Sequence, residues 1–370
     1  MHPSNEQTHP KSRFGWLLPA SLVGAILLIA AEHLHLTGPH SNLFLWLSGV
    51  FLIGSVFSSV HHAEIVSHRI GEPFGAIILA LAVTVIEVSL IVSTMLSASA
   101  TESSQIARDT VFATVMIVLN GVVGLCLLTG GILHREQQFQ TKGAIGALSV
   151  MATLTTLTLI LPNFTMSVPG PFYAPMQLAF VAVVSLALYA LFLFVQTVRH
   201  RTDFLDDVVE PVPHHAIPTR QQAITSAGML VVSLLLVILL AEGLTSTITQ
   251  VVADIGFNAE FVGVVIAAVV LLPEGSTAFR AARTNRVQTS VNLALGSALA
   301  SIGLSIPIIA VISLWLHRPI TLGLEADHIV QIVLTLLASI LTLMLGRTTI
   351  LQGGVHLVIF LAFLLFAAAP

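Results

Sequence analysis

Two glutamates stand where carboxylates are expensive. VTVIEVSL, residues 83–90, holds Glu87 with no charged residue within ten positions on either side; VVLLPEGS, residues 269–276, holds Glu274 in the same kind of apolar run. A charge at the centre of a bilayer costs several kcal/mol and normally faces a cavity or a partner. Neither Glu has a Lys or Arg at its own depth in its own run. Two such carboxylates brought together raise each other's proton affinity, and a cation between them lowers it. The pair therefore binds protons or a cation, in competition. The bland alternative is a protonated Glu that only hydrogen-bonds a neighbouring helix, which suits one isolated residue better than a matched pair.

Further oxygens stand near both. Thr84 is one turn before Glu87. Pro273 precedes Glu274 and lacks an N–H, which frees the Val269 carbonyl one turn back; Gly275 loosens the same spot. Asn120, Asn292 and Ser297 lie on the following apolar runs and are candidate ligands, or helix-packing groups. Ca²⁺ takes 6–8 oxygens, so two Glu alone do not suffice for it. A second Glu precedes each run: Glu64 in VHHAEIVSHRIG and Glu242 in LLAEGLTSTI, candidates for a proton pathway. His61, His62 and Glu64 hint at a metal cluster, but adjacent His residues point to different sides of a helix.

These residues need elements that span a membrane. The chain of 370 residues is 55% hydrophobic and 9% charged, with a mean hydropathy of +0.96. Soluble domains carry about 25% charged residues. The class is an all-α integral membrane protein. A span takes about 20 apolar residues. Eleven runs qualify: 14–36, 43–62, 74–97, 109–133, 143–161, 174–198, 222–245, 258–282, 287–315, 328–346 and 349–369. With the N-terminus cytoplasmic and the C-terminus external, twelve of the fourteen Lys and Arg fall inside; only Arg108 and Arg318 fall outside. The first run has no signal-peptide cleavage pattern and reads as a retained helix. Cys126 is the single cysteine, which excludes an intramolecular disulfide and a Cys-based metal site.

The two halves repeat. FGAIILALAVTVIEVS from Phe74 matches FVGVVIAAVVLLPEGS from Phe261, pairing Phe74 with Phe261, Ala80 with Ala267, Glu87 with Glu274 and Ser89 with Ser276. The expected organisation is an N-terminal segment and extra helix (1–42), a first five-helix repeat (43–198), an acidic cytoplasmic linker (199–220) and a second repeat (221–370). An odd number of spans per repeat inverts one relative to the other, with the site at the midplane between them. Asp203, Asp206, Asp207 and Glu210 in the linker lack EF-hand spacing and read as solvated.

HHAEIVSHRIGEPFG, LAVTVIEVSLIVSTML and ARDTVFATVMIVLNG, followed by LLPEGSTAFRAARTNRVQTSVNLALGSALASIGLSIP, resemble the ChaA-type bacterial cation/proton antiporters of the cation/calcium exchanger superfamily. The resemblance implies ten core helices in two inverted halves plus one N-terminal helix. It implies a bacterial inner-membrane protein exchanging cytoplasmic Ca²⁺, Na⁺ or K⁺ for protons, with no cofactor and no nucleic-acid partner. Under it Glu87 and Glu274 match the paired acidic site, Asn120 the Asn of the first half, and Gly296–Ser297 the Gly-Ser of the second. The chain departs from many calcium/proton exchangers in having Val-Thr-Val and Val-Leu-Leu-Pro before the two glutamates. Val115–Met116 stand where the second half has Gly-Ser. Other classes are a cation channel with an acidic constriction, and a membrane metal hydrolase built on His61, His62 and Glu64, which needs a third ligand.

Overall fold

The computed structural model describes residues 17–33, 42–71, 74–97, 100–204, 218–316 and 319–369. Thirteen α-helices dominate: α1 Leu17–His33, α2 Asn42–Ile70, α3 Phe74–Ser97, α4 Ala100–Met116, α5 Val123–His134, α6 Thr141–Thr155 and α7 Pro175–Phe194. They continue as α8 Arg220–Asp254, α9 Phe261–Arg283, α10 Val287–Ala300, α11 Ile306–Leu316, α12 Ala326–Met344 and α13 Ile350–Ala368. Wide π turns join α4 to α5 at Ile117–Val122 and α10 to α11 at Ser301–Ser305, so each pair crosses as one rod. Nine helical rods among the described residues are long and apolar enough to span, and two shorter apolar stretches, Leu17–Ala31 and Ile77–Val92, stand beside them. Each falls on one of the expected runs.

Their apolar side chains have two destinations. Outward faces carry exposed Leu, Val and Phe, such as Leu27, Phe180, Leu235 and Leu361, as lipid contact demands. Inward faces make one large core around α4, α6, α10 and α12, and a second where α1, α2, α3 and α8 meet α9. Helix packing follows the inverted repeat. α2 lies along α8, its counterpart in the other half. α13 packs on α5 and, reciprocally, α7 packs on α11. Close approach is set by glycine where it matters: Gly353 sits so near Leu128 that a Cβ would lie 2.3 Å from its backbone nitrogen.

The connections sort onto two faces. On one, Gln137 and Gln138 pair antiparallel with Thr348 and Arg347, as strands β1 (Gln137–Gln138) and β2 (Arg347–Thr348). The same face ties Gln137 Nε2 to Asn285 Oδ1 at 3.0 Å and the Gln140 amide to Gln288 Oε1 at 2.6 Å. Arg135, Lys142, Arg283, Arg286 and Arg347 thus share a side, as the charge bias requires. On the other face Asn163 Nδ2 donates to the Leu324 carbonyl at 2.7 Å, and Arg108 reaches the Gly323 carbonyl. The acidic residues Asp206, Asp207 and Glu210, and Lys11, Arg13 and Arg318, lie outside the described residues.

Candidate functional site

Glu87 sits mid-way along α3 and is 2% exposed. Its carboxylate is held from the opposite half. Ser301 Oγ donates to Oε1, and Ser305 Oγ donates to Oε2 at 2.7 Å. The Thr114 hydroxyl adds a third bond from α4. Ser301 and Ser305 bracket the π turn between α10 and α11. A π turn widens the helix and recurs at functional sites; here it lets two hydroxyls four residues apart straddle one carboxylate. Thr114 and Ser301 stand 187 residues apart, the same separation as Glu87 and Glu274. Thr114, Ser301 and Ser305 were not singled out from the sequence, and that shared spacing is the signal that marks the first two.

Glu274 lies on α9 directly after Pro273 and is half-buried. Pro273 has no N–H to give the Val269 carbonyl. The Pro273 carbonyl is in turn taken by side chains, Ser276 Oγ at 2.8 Å and Thr277 Oγ1 at 3.0 Å. Glu274 Oε2 is buried with no hydrogen-bond partner. Its carboxyl lies within electrostatic range of both Glu87 and Glu64. The two glutamates thus lie on matching helices of the two halves within electrostatic range: one satisfied by hydroxyls, one carrying an open oxygen.

The other sequence candidates scatter. Thr84 is buried on α3 and its Oγ1 donates to the Ala80 carbonyl at 2.8 Å, leaving its lone pairs free. Ser297 is half-buried on α10, one turn before Ser301. Asn120 is not brought to the carboxylates: its Nδ2 donates to Thr335 Oγ1 at 2.9 Å, and its Oδ1 accepts from His356 Nδ1 at 3.1 Å. His356 Nε2 then accepts from Thr342 Oγ1 at 3.1 Å, so a buried network ties the first π turn to α12 and α13. Asn292 is also committed elsewhere, donating to the Phe204 carbonyl at 2.5 Å and accepting from Gln288 at 3.1 Å. Glu64 is half-buried on α2, with His61 and His68 acting on it from the same helix. Glu242 falls on α8, and its side chain lies outside the described residues. His61 and His62 meet edge-on with ring centroids 5.4 Å apart. Among the described residues no three His, Cys, Asp or Glu side chains converge as ligands of a metal ion.

The sequence profile of the family described as "Sodium/calcium exchanger protein" matches residues 40–198 and 225–369. The chain belongs to this family, within the cation/calcium exchanger superfamily. It is 49% identical over 358 residues to the "Putative ionic transporter y4hA" of Sinorhizobium fredii, covering 96% of each chain. It is 33% identical over 323 residues to the sodium-potassium/proton antiporter ChaA of Escherichia coli, covering 86% of this chain and 87% of that one. The fold matches the crystal structure of the H⁺/Ca²⁺ exchanger CAX with a TM-score of 0.73 at 16% identity, over 97% of this chain and 90% of the other. The chain is a multi-span, almost wholly helical membrane cation exchanger.

Proposed function

We propose that the protein exports cytoplasmic Ca²⁺ or Na⁺, with K⁺ in the same class, in exchange for protons by alternating access. The observation that carries this reading is the Glu87–Glu274 pair: two membrane-embedded carboxylates from matching helices, one already held by hydroxyls of the opposite half. Both ionised and empty, they repel each other in a medium that screens little. Two states relieve that repulsion, protons on the carboxyls or a cation between them. The site is therefore filled by one or the other, which is the coupling rule of an antiporter.

In the cation-loaded state Glu87 and Glu274 supply the charge. Ser301, Ser305, Thr114 and Thr84 turn lone pairs inward, and the Val269 carbonyl adds a neutral oxygen; together these reach the 6–8 oxygens that Ca²⁺ takes. Fewer of them suffice for Na⁺ or K⁺. Relatives named as carriers on both sides of that divide support keeping the class broad: the sodium-potassium/proton antiporter of Escherichia coli and a Ca²⁺/H⁺ antiporter of Aphanothece halophytica. Glu64, within electrostatic range of Glu274, passes protons along α2. The halves that rock are residues 43–198 and 221–370, with residues 1–42 outside the repeat. The protein sits in the bacterial inner membrane with the Arg135–Arg347 face cytoplasmic.

The test uses everted vesicles with an acid lumen and a pH-sensitive dye. Ca²⁺, Na⁺ and K⁺ are added separately. Proton efflux triggered by at least one cation, and lost in both Glu87→Gln and Glu274→Gln, is expected. Efflux that survives either substitution overturns the site assignment, and the absence of efflux with all three cations overturns the exchange.

A further inference from the structure

We propose that Arg108, Asp109, Glu260, Glu325 and His328 form a latch that clamps the external ends of the two halves together, holds when protonated and releases as the pH on that side rises. Arg108 and Asp109 belong to α4 of the first half. Glu260 immediately precedes α9, Glu325 immediately precedes α12, and Asp327 and His328 lie in the first turn of α12, all in the second half.

Arg108 is 1% exposed and sits at the centre. Its Nε donates to Asp109 Oδ1 at 2.7 Å and its Nη1 to the Gly323 carbonyl at 3.2 Å. Its Nη2 lies 3.7 Å from Glu260 Oε1 and 3.8 Å from Glu325 Oε1. His328 Nε2 is 3.5 Å from Glu260 Oε2 and 3.7 Å from Asp327 Oδ2, and its ring stacks on Phe112 with centroids 4.6 Å apart. Behind the cluster α4 and α9 nearly touch: a Cβ on Gly263 would lie 3.1 Å from the Thr110 nitrogen. Thr110 itself is wholly buried there.

The charge does not balance. Four carboxylates, Asp109, Glu260, Glu325 and Asp327, face one guanidinium and one imidazole, so negative charge is in excess even with His328 protonated. These carboxylates do not converge as a metal site. A proton is the simplest counter-charge, and we place it on Glu260, the carboxylate that faces both Arg108 and His328. Burial raises the Glu260 pKa, and so do the Asp109 and Glu325 carboxylates, against the opposing pull of His328 and Arg108. In the opened state Glu260 regains water and its ordinary value near 4.5. The latched state therefore binds the proton more tightly. By linkage, protonation favours latching, and latching weakens as pH climbs from about 4.5 through the raised value.

The opposite face closes differently. There the described ties between the halves are neutral, Gln137 to Asn285 and Gln140 to Gln288, beside an exposed Arg347–Glu136 pair. The positions 187 residues from Arg108, Asp109 and Glu260 are Leu295, Gly296 and Pro73. Among the described residues a buried charged cluster thus ties the halves at the Arg108 end, and acid on that side biases the gate.

The meaning of the latch rests on the alternating-access reading, but its test reads the gate alone and needs no transport. The full chain carries Cys126→Ser and Thr110→Cys, which leaves one thiol, behind the clamp. Reconstituted protein is labelled with a membrane-impermeant methanethiosulfonate from the Arg108 face between about pH 5 and about pH 8. The same thiol in a Glu260→Gln background supplies the reference for thiol chemistry. Each tenfold difference in proton affinity between the two gate states moves the gate equilibrium tenfold. The labelling rate relative to the Glu260→Gln reference is expected to rise with pH across this range. A constant or falling ratio overturns the proposal. Arg108→Gln is expected to label fast at every pH; if it fails to fold, the Glu260→Gln comparison still decides.

Discussion

Ser305→Ala isolates the contribution of one hydroxyl to the candidate site. Ser305 Oγ donates to Glu87 Oε2 at 2.7 Å, inside a core where the Ser itself is fully buried. Removing it takes away one of the donors that favour the ionised form of a buried carboxylate. A hydrogen bond to a charged group contributes about 1.5–3 kcal/mol, which is about 10- to 150-fold in an equilibrium constant. The cation binds only when Glu87 is ionised, so the loss falls on cation binding. Ser301 and Thr114 remain as donors and share part of the burden. The expected effect of Ser305→Ala alone is thus near the lower end, about a tenfold rise in the cation concentration for half-maximal proton efflux. Adding Ser301→Ala leaves the Thr114 hydroxyl to hold the carboxylate, and the combined effect exceeds the product of the two single ones because the hydroxyls serve one carboxylate.

The assay is the same dye measurement in everted vesicles, titrated with whichever cation drives efflux. Ser185→Ala is the control: its hydroxyl is equally buried on α7 but has no hydrogen-bond partner. A half-saturation shift of twofold or less for Ser305→Ala, no larger than that of Ser185→Ala, refutes the assignment of Ser305 to the site.

Pro273→Ala restores an N–H for the Val269 carbonyl and removes a helix-interior proline, worth up to about 3 kcal/mol. The expected outcome is a higher thermal midpoint together with weaker cation half-saturation; a midpoint that falls contradicts the freed-carbonyl argument. Asn120→Ala leaves the buried Thr335 and His356 groups without their partner, at about 1–3 kcal/mol per orphaned group. Thermal stability is expected to drop while cation half-saturation in the surviving folded protein stays unchanged, and a selective loss of affinity at unchanged stability would return Asn120 to the site.

The sequence was most legible where a property accumulates along the chain. Apolar run length finds the nine long spanning rods and the two shorter apolar helices, and Lys and Arg placement agrees with the loops that share the Arg135–Arg347 face. Glu87 and Glu274 were legible because a carboxylate in an apolar run is costly whatever surrounds it. Polar neutral residues carry no such signature. Asn120 and Asn292 looked as suitable as any ligand, yet one braces α12 and α13 and the other holds the Phe204 carbonyl at the membrane boundary. Ser301 and Ser305 sit in ALASIGLSIP as ordinary small residues, and only the π turn aims both at Glu87. Arg108 shows the same limit from the other direction. As an exception to the charge bias it stood out, but its partners come from the start of α9, the start of α12 and its own neighbour on α4. A buried guanidinium is tolerated only if such partners exist; the sequence pattern left Arg108 in an external loop, and its burial among groups more than 150 residues away in the chain had no local signature.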